Sequence, residues 1–253
     1  MKKLVLALLL LNGCQSAMDK EGYAYDPLEG FNRKVYSFNS TADKYVLKPV
    51  ASGYKTVVPE FARNRVGDFF GNLDDVGSFG NSLLQGEGEQ ALKILARILN
   101  NTFFGLLGLF DVATPMGNEK ISADFGQTLH KYGVKSGPYI VLPLLGPSTV
   151  RDSAGGLVDG VVSADSAVFR KPAPCIAAIV VDGVNKRSEL IGKEELLENS
   201  PDPYATMRDA WLQHRWGQLG ETINGVEPVI DDDDSASDAT DAGAKGQSGE
   251  KAK

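Results

Sequence analysis

Apolar residues recur at helical spacing along most of the chain, and glycine and proline punctuate the helices they predict. In DPLEGFNRKVYSFN (residues 26–39), Leu28, Phe31, Val35 and Phe38 fall on one stripe. Asp26 is placed to cap this helix, Pro27 to open it and Glu29 to complete a capping box. A second candidate runs from Arg63 to Leu84, broken by Gly67, Gly71 and Gly77. The third begins at Glu87, with Leu92, Leu95, Leu99 and Phe103 aligned. It then loses its polar face, because Phe103 to Phe110 is apolar apart from two glycines. Helix returns from Ile176 to Asn199, with Ile176, Ile179, Val180, Val184 and Ile191 on one side. The last candidate, SPDPYATMRDAWLQHRW (residues 200–216), repeats the opening device: Asp202 as cap, Pro203 at the first position, and Tyr204, Met207 and Trp211 as the stripe.

Residues 114–174 differ. Six of the 12 prolines lie there, and long regular helices are expected to stop. Within this insert, YGVKSGPYIVLPLLGP (Tyr132 to Pro147) is strongly apolar, yet it is cut up by Gly133, Gly137, Pro138, Pro143, Gly146 and Pro147. Internal prolines argue against a buried helix and against a central strand. In lipid, such broken backbone needs protein cover or a polar cavity to line. The overall expectation is a mainly α protein with an irregular apolar insert.

The chain has 253 residues, enough for one large or two small domains, with no fixed-period repeat. Its formal net charge of -7 argues against nucleic acid as a partner. The start, MKKLVLALLLLNGC, reads as a signal peptide. Its apolar octet Leu4 to Leu11 spans about 12 Å as helix, against about 30 Å of bilayer core. Leu11-Asn12-Gly13-Cys14 resembles a bacterial lipoprotein cleavage box, which makes Cys14 a lipidation site. Gln15 after it resembles the default for outer-membrane sorting. With Cys14 lipidated, Cys175 has no disulfide partner and is expected to be a small buried hydrophobe. No later apolar run reaches spanning length. Residues 227–253 are acidic, and from Asp231 onward they lack large apolar side chains, so they are expected to be a disordered tail. Asp231 to Asp234 read as a solvated charge run rather than a calcium site.

Candidate catalytic chemistry is thin. Gly86-Glu87-Gly88-Glu89-Gln90-Ala91 matches a dinucleotide-loop variant, but its glutamates would face a pyrophosphate and no strand precedes it. Gly146-Pro147-Ser148-Thr149-Val150 begins like a hydrolase elbow and lacks the second glycine. His130 and His214 have no neighbouring residues at metal-ligand spacing. Asp74 and Asp75 point about 100° apart on a helix, which disfavours an acid–base dyad. Arg151 and Asp152 could form an ion pair. No catalytic, cofactor or metal set emerges.

Three stretches carry a family resemblance: DPLEGFNRKVYSFN, GLFDVATPMG (residues 108–117) and FGQTLHKYGVKSGPYIVLPLLGPSTVRD (residues 125–152). With SPDPYATMRDAWLQHR, they resemble the MlaA/VacJ family of outer-membrane lipoproteins across most of residues 26–215. The resemblance implies a signal peptide at 1–13, a helical lipid-transport domain at 14–226 and the acidic tail beyond. It implies a ring of amphipathic helices lying in the membrane interface, held in the inner leaflet and pierced by an amphipathic channel. An irregular hairpin borders that channel and maps to Tyr132, Gly133, Gly137, Pro138, Tyr139, Pro143, Gly146 and Pro147. The implied function is non-enzymatic: removal of phospholipid strayed into the outer leaflet and its delivery to a soluble periplasmic carrier, beside a trimeric porin. The hairpin's glycines and apolar side chains suit a gate for lipid entry or exit; a rigid packed loop is the alternative. Two other readings stand beside transport, a lipid-anchored surface phospholipase and a structural envelope lipoprotein.

Overall fold

The computed structural model describes residues 26–162, 168, 172–194, 197 and 199–220. Cys14 and the acidic tail lie outside the described residues. Eight α-helices and one two-stranded ribbon are described: α1 (Glu29–Ala42), α2 (Lys48–Val57), α3 (Glu60–Leu84), α4 (Gly88–Phe103), α5 (Phe125–Lys131), β1 (Tyr139–Leu142), β2 (Gly146–Thr149), α6 (Val150–Val162), α7 (Pro172–Leu190) and α8 (Pro203–Gln218). A π-helical turn, Asp43–Leu47, joins α1 to α2.

The contacts between these elements form a circuit. From α1 the path runs through the π turn to α2, across to α7, then to α3, α5, α6, β2 and β1, and back to α1. This is a ring. α4 packs on α3 as an antiparallel partner, and α8 reaches the ring at β2.

Local chemistry explains several boundaries. α5 has a full capping box: Asp124 accepts from the Gln127 N–H at 2.8 Å, and Gln127 accepts from the Asp124 N–H at 3.4 Å. α8 starts as its sequence dictates, with Asp202 accepting from the Ala205 N–H at 3.2 Å. α1 does not. It begins at Glu29 with no side-chain cap, because Asp26 is engaged elsewhere, accepting from Asn32 at 2.8 Å and from the Tyr204 hydroxyl. Nor do three glycines break α3, which is continuous for 25 residues. An α-helix tolerates glycine at about 1 kcal/mol each. The insert also holds more helix than its prolines suggested, since α6 is a 13-residue helix. α7 ends at Leu190 rather than running on to Asn199. Cys175 is only partly buried.

The stripes are present, but most are inverted. Phe31 is 53% exposed and Phe103 75% exposed, and Leu28, Phe38, Leu92, Leu99, Ile176, Ile179 and Val180 also face outward. Beside a few apolar residues such as Phe70 and Ile94, the helices bury many polar ones: Asn32 in α1, Asn72, Asp75, Ser78, Asn81 and Ser82 in α3, Arg97 and Asn101 in α4, Asn185 and Ser188 in α7. Among the described residues, the clustered hydrophobic core lies where α8 meets the hairpin. There Val35, Tyr139, Val141, Tyr204, Leu212 and Trp216 cluster, with Tyr139 edge-on to Tyr204 and Trp211.

Two arginines hold the polar interior. Buried Arg97 reaches Asp75 at 3.3 Å, Asp111 at 2.9 Å and Thr114 at 2.9 Å, and also donates to the Asn118 carbonyl. Arg215 of α8 grips Asp124 at 2.6 and 2.8 Å and Asp152 at 2.9 Å, tying α8 to the starts of α5 and α6. Beneath it, α5 and α6 approach so closely that a Cβ on Gly155 would sit 2.5 Å from the Gly126 nitrogen.

Asn32 closes the ring against β1. Its amide donates to the Tyr139 carbonyl at 3.1 Å and its oxygen accepts from the Val141 N–H at 2.9 Å. Asn32→Leu leaves both buried backbone groups unpaired, at about 1–3 kcal/mol each. The expected loss is about 2–4 kcal/mol, read as a lowered unfolding midpoint in detergent micelles; an unchanged midpoint would mean the clamp is dispensable.

Asp111 gives a second expectation. Burial raises its pKa, but hydrogen bonds from Thr114 and Arg97 outweigh this and lower it from 3.8 to about 2. A depressed folded pKa stabilises above the unfolded value and is lost as pH falls through the folded one. Asp111→Asn is therefore expected to cost about 1–2 kcal/mol at neutral pH. The gap to wild type should close as pH falls from 3.8 to about 2. A gap that stayed constant with pH would refute the assignment.

Candidate functional site

Ser78 and Asn81 of α3 line a cavity of about 210 Å³ bounded by the loop before α5 and by Asp159 of α6. Along α3, Asn72 and Asp75 turn towards α4, bonding Thr102 and Arg97, whereas Ser78, Asn81 and Gln85 turn towards the α5 side. This face is stitched to the opposite wall. Asn81 donates to Asp159 at 2.9 Å and accepts from Thr128 at 3.1 Å. Asp159 also accepts from the Phe125 N–H at 2.9 Å, and Ser78 accepts from the Ala123 N–H at 3.2 Å. Asp74 and Lys120 stand at the cavity edge, 3.8 Å apart. Gly77 lines it with open space where a side chain would go. This wall presents amides, hydroxyls and opposite charges to the cavity.

The hairpin has a packed base and a free tip. β1 and β2 are antiparallel, with Tyr139 opposite Thr149 and Leu142 opposite Gly146. Tyr139 and Val141 are buried, and the outer edge of β1 is taken by helix α1. Two turns beyond Asn32, Asn39 donates to the Leu142 carbonyl at 2.9 Å and accepts from the Leu144 N–H at 2.8 Å. Pro138 stands before β1, and its carbonyl accepts from the Val150 N–H at 3.3 Å. Pro143 is in the turn, and Pro147 sits opposite Val141, whose N–H already belongs to Asn32. The prolines thus stop a larger sheet but permit this ribbon, both of whose strands are edges. At the tip Leu144 and Leu145 are exposed, and Leu144 is held at φ +63°. Tyr132 is exposed, with its hydroxyl donating to the Leu84 carbonyl at 2.9 Å. Gly133, Gly137 and Gly146 all have positive φ, which explains glycine at each.

The remaining candidates scatter. Ser148 accepts from Ser153 at 2.9 Å and donates to the Thr149 carbonyl, while His130 sits 3.3 Å from Arg151. Asp75 pairs with Arg97 inside, whereas Asp74 lies outside near Lys120 and Lys186, so the two carboxylates do not act together. Gly86 forms the turn between α3 and α4. His214 is hydrogen-bonded to Gln218 at 3.0 Å. Among the described residues no cluster of His, Cys, Asp or Glu could hold a metal, and no helix is long and apolar enough to cross a membrane. The polar stripe, Asn32, Asn39 and Arg97 were missed by following apolar residues. Their signal was the complementary one, polar side chains at helical spacing between apolar faces.

Comparisons with known proteins agree with this architecture. Residues 24–218 match the family model described as MlaA lipoprotein. The intermembrane phospholipid transport system lipoprotein MlaA of Escherichia coli K12 is 36% identical over 241 residues, covering 91% of this chain and 94% of that protein. The protein of the same name from Haemophilus influenzae is 33% identical, covering 90% and 94%. A solved structure from work on the structural basis for maintenance of bacterial outer membrane lipid asymmetry superposes with a TM-score of 0.69 at 35% identity. It covers 77% of this chain and 98% of that one. By the family match and these identities, the chain belongs to the MlaA lipoprotein family.

Proposed function

We propose that this protein moves phospholipid between the outer membrane and the periplasm, removing molecules strayed into the outer leaflet. The observation that carries the reading is the inverted ring, apolar outside and polar within. An apolar belt suits a ring seated in a leaflet, and a monotopic seat needs no spanning helix. The exposed run of Phe103, Phe104, Leu106, Leu107 and Leu109 deepens that belt. Inside, the Ser78–Asn81–Asp159 wall offers headgroups a path, and acyl tails keep to apolar surface. The hairpin borders this path. Asn32 fixes its base and Asn39 its turn, so any gating belongs to the exposed Leu144 and Leu145 side chains.

In this reading Cys14 carries the lipid anchor. A trimeric porin sits beside the ring, and a soluble periplasmic carrier takes the lipid on. The chemistry is transfer without bond cleavage. The phospholipase alternative finds little support at Ser148, whose hydrogen bonds go to Ser153 and Thr149.

The test fills the path. Gly77→Trp places a large side chain in open space and replaces a helical glycine, so it is not expected to unfold α3. Gly156→Trp, also in open space but away from the cavity, is the control. Transfer of labelled phospholipid from the porin-bound protein to the soluble carrier should fall at least tenfold for Gly77→Trp and stay normal for the control. Leu144→Asp with Leu145→Asp should also impair transfer. Normal transfer by Gly77→Trp would reject this path, normal transfer by the tip variant would reject its part in the path, and release of free fatty acid would favour the enzyme.

The anchor is checked separately. Mass spectrometry of the mature N-terminal peptide should find acyl chains on Cys14, and an unmodified cysteine would reject it.

A further inference from the structure

A second cavity, of about 600 Å³, lies between the α1–α2 bend and the end of α7. That is the size of a small-molecule site. Lys44, Lys48, Arg187 and Lys193 line it, against two carboxylates, Asp43 and Glu194. The local balance is four positive to two negative, or +2, in a chain of formal net charge -7. A concave wall of one sign focuses potential and concentrates the opposite charge.

Both carboxylates are already spoken for. Arg187 binds Asp43 in a fork at 2.6 and 2.8 Å, and Glu194 takes Lys48 at 2.5 Å and Arg187 as well. Lys44 and Lys193 are left with no ion-pair partner among the described residues, and both are exposed to a ligand. Arg187 is enclosed by these pairs, its side chain only 11% exposed, so it adds positive potential to the wall rather than a direct contact.

The other surfaces are apolar. Tyr36, Leu190 and Leu197 line the cavity. On the π turn and the start of α2, Tyr45, Val46 and Val50 are exposed beside Lys44 and Lys48. The π turn places an additional residue between α1 and α2 within a continuous helical path, a feature common at functional sites. One short segment therefore carries cations for a cavity on one face and exposed apolar side chains on another.

We infer that this cavity receives the phosphodiester of an anionic phospholipid, with Lys44 and Lys193 as its cationic contacts and the start of the acyl chains against Tyr36, Leu190 and Leu197. The inference rests on the transport reading and deepens it by naming the headgroup. A zwitterionic headgroup brings its own cation, which these lysines repel; a phosphatidylglycerol headgroup does not. Binding is therefore selective by charge and weakens with salt.

Three probes test this on the full chain in uncharged detergent: dihexanoyl phosphatidylglycerol, dihexanoyl phosphatidylcholine and inorganic phosphate, each titrated by calorimetry. Phosphatidylglycerol should bind at least tenfold more tightly than either of the others. Lys44→Gln with Lys193→Gln should weaken it about tenfold, as expected for losing two charge-assisted contacts, and Lys44→Arg with Lys193→Arg should keep it. Both lysines are exposed, and the folded state of each variant is checked by its helical circular dichroism. Equal affinity for the two lipids overturns the selectivity. Unchanged affinity in the glutamine variant overturns the site, and inorganic phosphate binding as tightly as the lipid marks a small-anion site instead. Phospholipid extracted from purified wild-type protein separates the two levels. If it is present while the glutamine variant binds normally, the headgroup site fails and the transport reading stands; if wild-type protein carries and transfers none, the transport reading fails.

Discussion

One buried carboxamide does the work of a β-strand. The hairpin has only two strands, so the outer edge of β1 would leave backbone groups unpaired beside a helix. Asn32 offers an acceptor and a donor at the spacing a third strand would supply, binding Val141 N–H and Tyr139 C=O. Asn39 repeats the arrangement two helical turns on. The ring closes through this contact, because β1 is what α1 touches on the far side of the circuit. The small aromatic core depends on it too: Tyr139 and Val141 point inward only while β1 is held in that register, and Tyr204, Leu212 and Trp216 of α8 pack on them.

The same logic runs through the rest of the interior. A ring with an apolar exterior cannot rely on hydrophobic burial to hold its helices together, since lipid would be as good a neighbour. Its helices meet instead through polar groups that find partners only in one arrangement. Tyr54 of α2 reaches Asn185 of α7, Asn72 of α3 reaches Thr102 of α4, and Arg215 fastens α8 to α5 and α6. Such contacts are costly when half made, so they specify geometry more sharply than apolar packing does. Gly126 and Gly155 serve the same end by letting two backbones meet where a side chain would collide with Asp152 and Arg215.

Much of this was legible in the sequence, though its sign was not. The spacing of Leu92, Leu99 and Phe103 located a helix face, but periodicity cannot tell whether that face meets protein or lipid. The start of α8 was readable because an Asp-Pro cap is a local device, whereas the same pair at Asp26-Pro27 was misleading because Asp26 is recruited by Asn32 and Tyr204 from afar. The glycines of α3 looked like breaks. Two of them lie instead where other groups come close, Gly67 near Asn185 and Gly71 near Lys120, while Gly77 faces open space. The hairpin was located by its prolines and glycines, but its packed base was hidden, since the asparagines that fix it lie more than 100 residues earlier. For the candidate site, the apolar stripes drew attention away from Ser78, Asn81 and Asp159, whose meaning depends on a partner in another helix.

The division of the hairpin into a clamped base and an exposed tip bears on how a passive ring could work. Moving a phosphate through hydrocarbon carries the cost of losing its water, and a polar wall lowers that barrier by substituting fixed donors and acceptors. To keep substituting, the wall must not relax around each passing headgroup, which is what fixed Asn32, Asn39, Arg97 and Arg215 provide. Lowering a barrier accelerates passage equally in both directions. A net flow therefore needs a difference in lipid free energy between the two ends. Rigidity in the ring and directionality outside it are then two parts of one requirement.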